Sequence, residues 1–172
     1  MDKRLRDRII TFTAFLDGDK EYGLAKVTMP DFEYMTDTIN GGGLAGELEV
    51  PAVGLLKPMK ATIEWRTIYE SSAKLARQKS QHIEFRGAFQ MENSETGDPE
   101  IIPVSLQMTG WVVKSTIGSM ENNKGTGATT EISLHAAKLE IDGVTQYDFD
   151  IMNTRFIVDG VDYWKDIREI LS

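Results

Sequence analysis

The residue groupings that could carry chemistry are few, and each fails on a different requirement. Gly41-Gly42-Gly43-Leu44-Ala45-Gly46 satisfies G-x-G-x-x-G, the dinucleotide fingerprint, which needs a following helix whose backbone N–H groups aim at a pyrophosphate. Here the continuation is the alternating run Glu47-Leu48-Glu49-Val50 and then Pro51, so no helix N-terminus is available. The ordinary alternative is a hairpin tip, where glycine supplies positive φ. His82 and Glu84 share one face of an expected strand and could offer two metal ligands, but the chain has only two histidines, His82 and His135. Neither a metal site nor a cofactor is expected. Ser133 and His135 stand two apart without a G-x-S-x-G elbow, so a serine nucleophile is unsupported and no catalytic residue is assigned. Asp148 and Asp150 lie on one face of an expected strand, and paired carboxylates do acid–base work only where their environments differ; a solvated strand face is the simpler reading.

Composition narrows the classes further. The chain has 172 residues, no cysteine and a formal net charge of −8. That length suits one domain, residues 1–172, with a core that needs no staples. Without cysteine there is neither a disulfide framework nor a zinc–thiolate site, and assembly in a reducing cytoplasm is expected. Acidity opposes a nucleic-acid-binding surface, which gains affinity by neutralising phosphates with Lys and Arg. No apolar run is long enough to span a bilayer and the N-terminus lacks a signal-peptide core, so membrane binding by the chain itself is not expected.

The elements that must position these residues read as mainly β. The first eight residues alternate acid and base and suggest a short helix, a frayed end or a flexible N-terminal arm. From Ile10 a strand runs to the turn Asp17-Gly18-Asp19, with Tyr22–Met29 expected to return as its hairpin partner. Phe32–Thr36 and Glu47–Val50 form the arms of a long projecting hairpin, residues 32–58, whose glycine-rich tip also carries Ile39, Asn40, Leu44 and Ala45. Apolar side chains at a loop tip are wasted on solvent, and a tip that docks on another subunit explains them. Thr62–Thr67, His82–Met91, Val104–Ile117 and Glu131–Ile141 alternate as strands, while Ser71–Lys79, with Ser71 as N-cap, reads as an internal helix. Tyr163, Trp164, Ile167, Ile170 and Leu171 fall on one face of a C-terminal helix. The pattern predicts a mainly β (β+α) fold, a β-sandwich or split barrel with one internal and one C-terminal helix.

The order of the closing elements is the most specific signal. Leu139-Glu140-Ile141-Asp142-Gly143-Val144, then Tyr147–Asn153, then Phe156-Ile157-Val158-Asp159-Gly160-Val161-Asp162 reads as strand, tight turn, strand, strand, tight turn, helix. With the glycine-rich hairpin, this order resembles the major tail tube protein family of contractile-tailed bacteriophages and related phage-tail-like particles. The resemblance implies hexameric rings whose strands share an inner barrel, stacked as the inner tube of a contractile tail. It also implies tail sheath, tape measure and baseplate proteins as partners, DNA as transiting cargo, and a place in the virion tail after assembly in the bacterial host. On that reading Ile39–Gly46 make the inter-ring contact and Glu47, Glu49, Asp148 and Asp150 are candidate lumen acids. Two other readings stay open: the tube of a bacteriocin or type VI secretion-like injection machine, and, from another class, a monomeric ligand-binding β-sandwich.

Overall fold

The structure, a computed structural model, describes residues 4–21 and 23–172. In chain order the elements are β1 (Arg4–Leu16), β2 (Asp19–Glu21), β3 (Leu24–Thr28), β4 (Tyr34–Ile39), β5 (Leu48–Leu56), β6 (Met59–Trp65) and α1 (Glu70–Leu75). They continue with β7 (Gln81–Asn93), β8 (Pro99–Thr116), β9 (Thr129–Ile141), β10 (Val144–Asp150), β11 (Arg155–Val158), β12 (Val161–Asp162) and α2 (Lys165–Leu171). Alternation sets which face of each strand is buried: Met59, Ala61, Ile63 and Trp65 of β6 point inward, as period two requires. They meet Ile83 and Phe85 of β7, Leu106 and Met108 of β8, and Ile132 and Leu134 of β9 in one core cluster. The Trp65 indole donates to the Thr130 hydroxyl at 3.0 Å, so its buried N–H is satisfied.

Ten strands form one antiparallel sheet, ordered β12-β11-β10-β9-β8-β7-β1-β2, with β6 pairing a different stretch of β9 and β3 pairing β6. β9 is the fork. Its first half, Thr129–Leu134, lies against β6, and its second half, Ala136–Ile141, lies against β10. The buried set switches there from Ile132 and Leu134 to Ala137. An extra residue in a period-two strand reverses its faces, and the β8–β9 register slips at this place, between Thr109 and Gly110. The backbones approach so closely that a Cβ on Gly110 would sit 2.1 Å from the Ser133 carbonyl oxygen. Elsewhere the Asp-Gly pairs make the turns: Asp142 and Gly143 have φ of 53° and 74°, Asp159 and Gly160 48° and 77°. Positive φ at both central positions is the primed turn that matches strand twist.

Four sequence expectations change. The arm expected at residues 1–8 is strand from Arg4, paired with β7; residues 1–3 lie outside the described chain. The return strand Tyr22–Met29 does not pair β1 beyond β2: Gly23 has φ 87°, the chain turns away, and β3 pairs β6 instead. Tyr22 is outside the described residues. Ser71 is not a cap but sits inside α1, whose cap is Tyr69, and its hydroxyl donates to Glu21. The helix ends at Leu75, short of Lys79.

Because the clash at Gly110 is with backbone, Gly110→Ala is expected to lower stability by about 1–3 kcal/mol, the usual cost of overpacking. Gly41→Ala, where nothing lies within 4 Å of an added Cβ, is expected to be near neutral. Urea unfolding midpoints of the two variants check this contrast.

Candidate functional site

The hairpin of β4 and β5 forms its own two-stranded sheet and projects from the body. A two-stranded hairpin is marginal in water, so its base must be held, and aromatic side chains hold it. Phe32 lies 4.4 Å from Phe149 and 5.2 Å from Tyr147, ring centre to ring centre. Tyr34 meets Phe156 edge-on at 6.0 Å, and Phe156 is in turn 4.8 Å from Phe149. On the other arm the Trp164 indole donates to the Gly54 carbonyl at 3.0 Å. Gly54 has φ 68°, and a Cβ there would fall 2.0 Å from the Trp164 indole nitrogen, so only glycine fits. At the far end Asn40–Gly46 form an exposed, irregular tip. Leu44 is 50 % exposed and Ile39 48 %, so the structure shows both apolar groups facing solvent in the single chain.

The C-terminal residues divide by distance from this anchor. Trp164 packs against the core, Tyr163 keeps its ring 5.7 Å from Phe156 and Ile167 is half-buried. Ile170 and Leu171 are 81 % and 77 % exposed, so the single apolar face expected for the helix packs only through its first turn. α2 has 7 residues and is pinned at its middle, where Arg168 pairs with Asp162 and donates to the Thr154 carbonyl at 2.6 Å. The residues after Arg168, Glu169–Ser172, are exposed.

The acidic pairs lie on separate sheets. Glu47 and Glu49 are exposed on the hairpin, Glu49 accepting from Thr36 at 2.7 Å. Asp148 and Asp150 belong to the polar face of the large sheet, where the register sets Glu84, Gln107, Lys138 and Asp148 side by side on β7, β8, β9 and β10. This face carries its own counter-charges. Arg86 binds Glu84 through two hydrogen bonds of 2.7 and 2.8 Å and stacks over Phe15 at 4.5 Å. Lys138 pairs with Glu140 at 2.7 Å and Arg155 with Asp148 at 3.0 Å. The Arg86 hydrogen bond holds Glu84 below the usual carboxylate range against the opposing effect of burial, and Lys138 does the same for Glu140.

Asp150 departs from the solvated face expected of it. It is buried, 9 % exposed, because the turn after β10 folds back so that Asn153 donates from its backbone at 3.0 Å and its side chain at 2.7 Å. Burial pushes its carboxyl up, but the two Asn153 bonds together with Arg155 and His135 leave it below its ordinary value of 3.8. The other chemical candidates are engaged separately. His82 shares a 3.1 Å hydrogen bond with Thr109 while Glu84 is held by Arg86, and His135 bonds Ser80 at 3.0 Å rather than Ser133. Sequence reasoning missed Gly54 and the aromatic anchors, although an isolated glycine within an alternating run does mark a close approach.

A carboxyl lowered on folding adds stability above its unfolded value and loses it as pH falls through the folded one. The acid limb of the stability curve, below pH about 3.8, should therefore be shallower in Asp150→Asn than in the wild type. Urea midpoints measured across that range check this.

The family described as phage tail tube protein FII matches residues 6–171. No curated protein matches the chain. Among solved structures, one chain of the PVC sheath–tube complex of an extracellular contractile injection system, in the extended state, is 15 % identical. That likeness has a TM-score of 0.48 and covers 77 % of this chain and 88 % of that one. A chain of the sheath/tube terminator of the PVC system, also extended, is 14 % identical with a TM-score of 0.47, covering 78 % and 95 %. With the family match running from the first half of β1 to the end of α2, the chain belongs to the phage tail tube protein FII family and is a tail tube subunit.

Proposed function

We propose that the subunit closes into hexameric rings and that the rings stack through the β4–β5 hairpin, Ile39–Gly46 making the inter-ring contact. The observation that supports this most is the projecting hairpin itself, anchored at its base and ending in an apolar tip that none of the described residues covers. Its role is structural and not catalytic: the whole chain, residues 1–172, acts as one building block of a conduit. Sheath, tape measure and baseplate proteins are the further partners of this reading, with assembly in the host cytoplasm.

The polar face of β7 to β10 is the proposed channel wall, with DNA as the cargo. Its surface is both hydrophilic and self-neutralised. A cation already paired with a neighbouring carboxylate has little to gain from a passing phosphate, so counterion-release affinity stays low along the wall. Glu84 and Asp148 would thus keep Arg86 and Arg155 from gripping the cargo, a sharper role than bulk repulsion by acids. Glu47 and Glu49, on the hairpin, line the passage only where the hairpin reaches it.

Leu44→Asp is expected to leave the monomer folded and rings formed but to abolish long tubes, as seen by negative-stain microscopy; full-length tubes from this variant would remove the tip from the contact. In particles carrying Glu84→Gln with Asp148→Asn, assembly should persist while genome ejection slows at low salt and recovers as salt screens the unpaired arginines. Time-resolved ejection measured across salt concentrations checks this.

A further inference from the structure

The strands β3, β6, β9, β8, β7 and β1 pair in that order and curl until the outermost two, β1 and β3, face each other across a cleft. Both lips line it: Ile9, Thr11 and Phe12 from β1, Leu24, Lys26 and Val27 from β3. Among the described residues β1 from Ile9 to Thr13 pairs only with β7, and β3 pairs only with β6. The barrel therefore lacks a closing strand, and each lip presents backbone donors and acceptors that another chain would satisfy. The cleft holds about 610 Å³. With strands ~4.8 Å apart, layers ~10 Å apart and a rise of ~3.3 Å per residue, that is the space of about four residues of one strand. Beneath it lies a smaller apolar hole of about 70 Å³ between Phe12, Val27, Met29, Phe85 and Leu106.

One segment of the chain has the complementary features. β4 and β5 pair only with each other among the described residues. The tip between them is slim, with nothing within 4 Å of an added Cβ at Gly41, Gly42, Gly43 or Gly46, and it offers one branched apolar side chain, Leu44. From Tyr34 to Leu56 the hairpin carries Asp37, Glu47 and Glu49 but no Lys or Arg, whereas the cleft is lined by Lys20 and Lys26 beside one acid, Glu21, with Lys26 reaching Glu64 at 3.5 Å. We propose that the cleft between β1 and β3 is the receptor for the hairpin tip of a second copy, whose glycine-rich backbone pairs with the lips while Leu44 fills the apolar hole. This rests on the tip contact proposed above and names its other side. Tip and cleft are different surfaces of one chain, so the contact is head-to-tail, and each copy that accepts a tip still offers one; such a contact propagates without limit, as tube growth requires.

The chain has no cysteine, so introduced pairs report cleanly. In oxidised tubes of the Leu44→Cys, Met29→Cys double variant, a ladder of covalent multimers on denaturing, non-reducing gels is expected, and none for Leu44→Cys with Val144→Cys. Tubes that form without a Met29 ladder overturn the cleft as receptor but leave the tip contact standing. Normal tubes from Leu44→Asp overturn the tip contact itself. Should the double variant not assemble, the wild type decides: amides of Ile9–Thr13 and Leu24–Thr28 that point into the cleft should exchange rapidly in the monomer and at least tenfold more slowly in tubes, and unchanged exchange overturns the proposal.

Discussion

An antiparallel sheet that rolls into a barrel without closing leaves, along β1 and β3, two rows of backbone N–H and C=O groups that no strand among the described residues pairs. That unsatisfied edge is the constraint on which the rest of this subunit depends. Water can satisfy those groups in the monomer, but the apolar floor under the cleft is wetted at a cost, which favours the proposed filling of the gap by another chain. The core, by contrast, is complete within the chain, from Met59 and Ile63 to Phe149. On the proposed reading, the drive to assemble resides in the edges rather than in an unfinished core.

Three other features serve that arrangement. The aromatic contacts among Phe32, Tyr34, Tyr147, Phe149 and Phe156 fix the direction in which the hairpin leaves the body. The Trp164–Gly54 bond ties the hairpin to the C-terminal segment, so hairpin and α2 are held to the same part of the body. The polar sheet face pairs each of Arg86, Lys138 and Arg155 with a carboxylate on the same face, which suits the channel wall proposed for it. A net charge of −8 does not by itself describe that face, because Glu84, Glu140 and Asp148 are already engaged.

Much of the fold was legible in the sequence, for local reasons. The Asp-Gly pairs at 142–143 and 159–160 announced their turns because few other residues accept positive φ at both positions, and the glycine tip announced the hairpin. The closing helix was legible as an element, but its packing was not, since periodicity shows which residues share a face and not how far the body extends beneath them; Ile170 and Leu171 are the result. The partner of β3 was hidden because strand pairing is a long-range choice, decided here by Gly23 turning the chain away from β1. The burial of Asp150 was hidden too, because the turn that supplies Asn153 looks like any polar loop. One signal was present and unread: the apolar positions of β9 change parity between Leu134 and Ala137, which marks the bulge at the fork. The tip and the acidic pairs were visible as residues in the sequence, while the aromatic anchor and the cleft required the three-dimensional arrangement.

The most direct test of the account is a helical reconstruction, by electron cryo-microscopy, of tubes grown from the full wild-type chain. The account predicts sixfold rings in which the free edges of β1 and β3 are hydrogen-bonded to backbone from other copies, with the face bearing Glu84, Lys138 and Asp148 turned to the channel. Tubes in which those edges remain unpaired, with the same face on the outer wall, would contradict it.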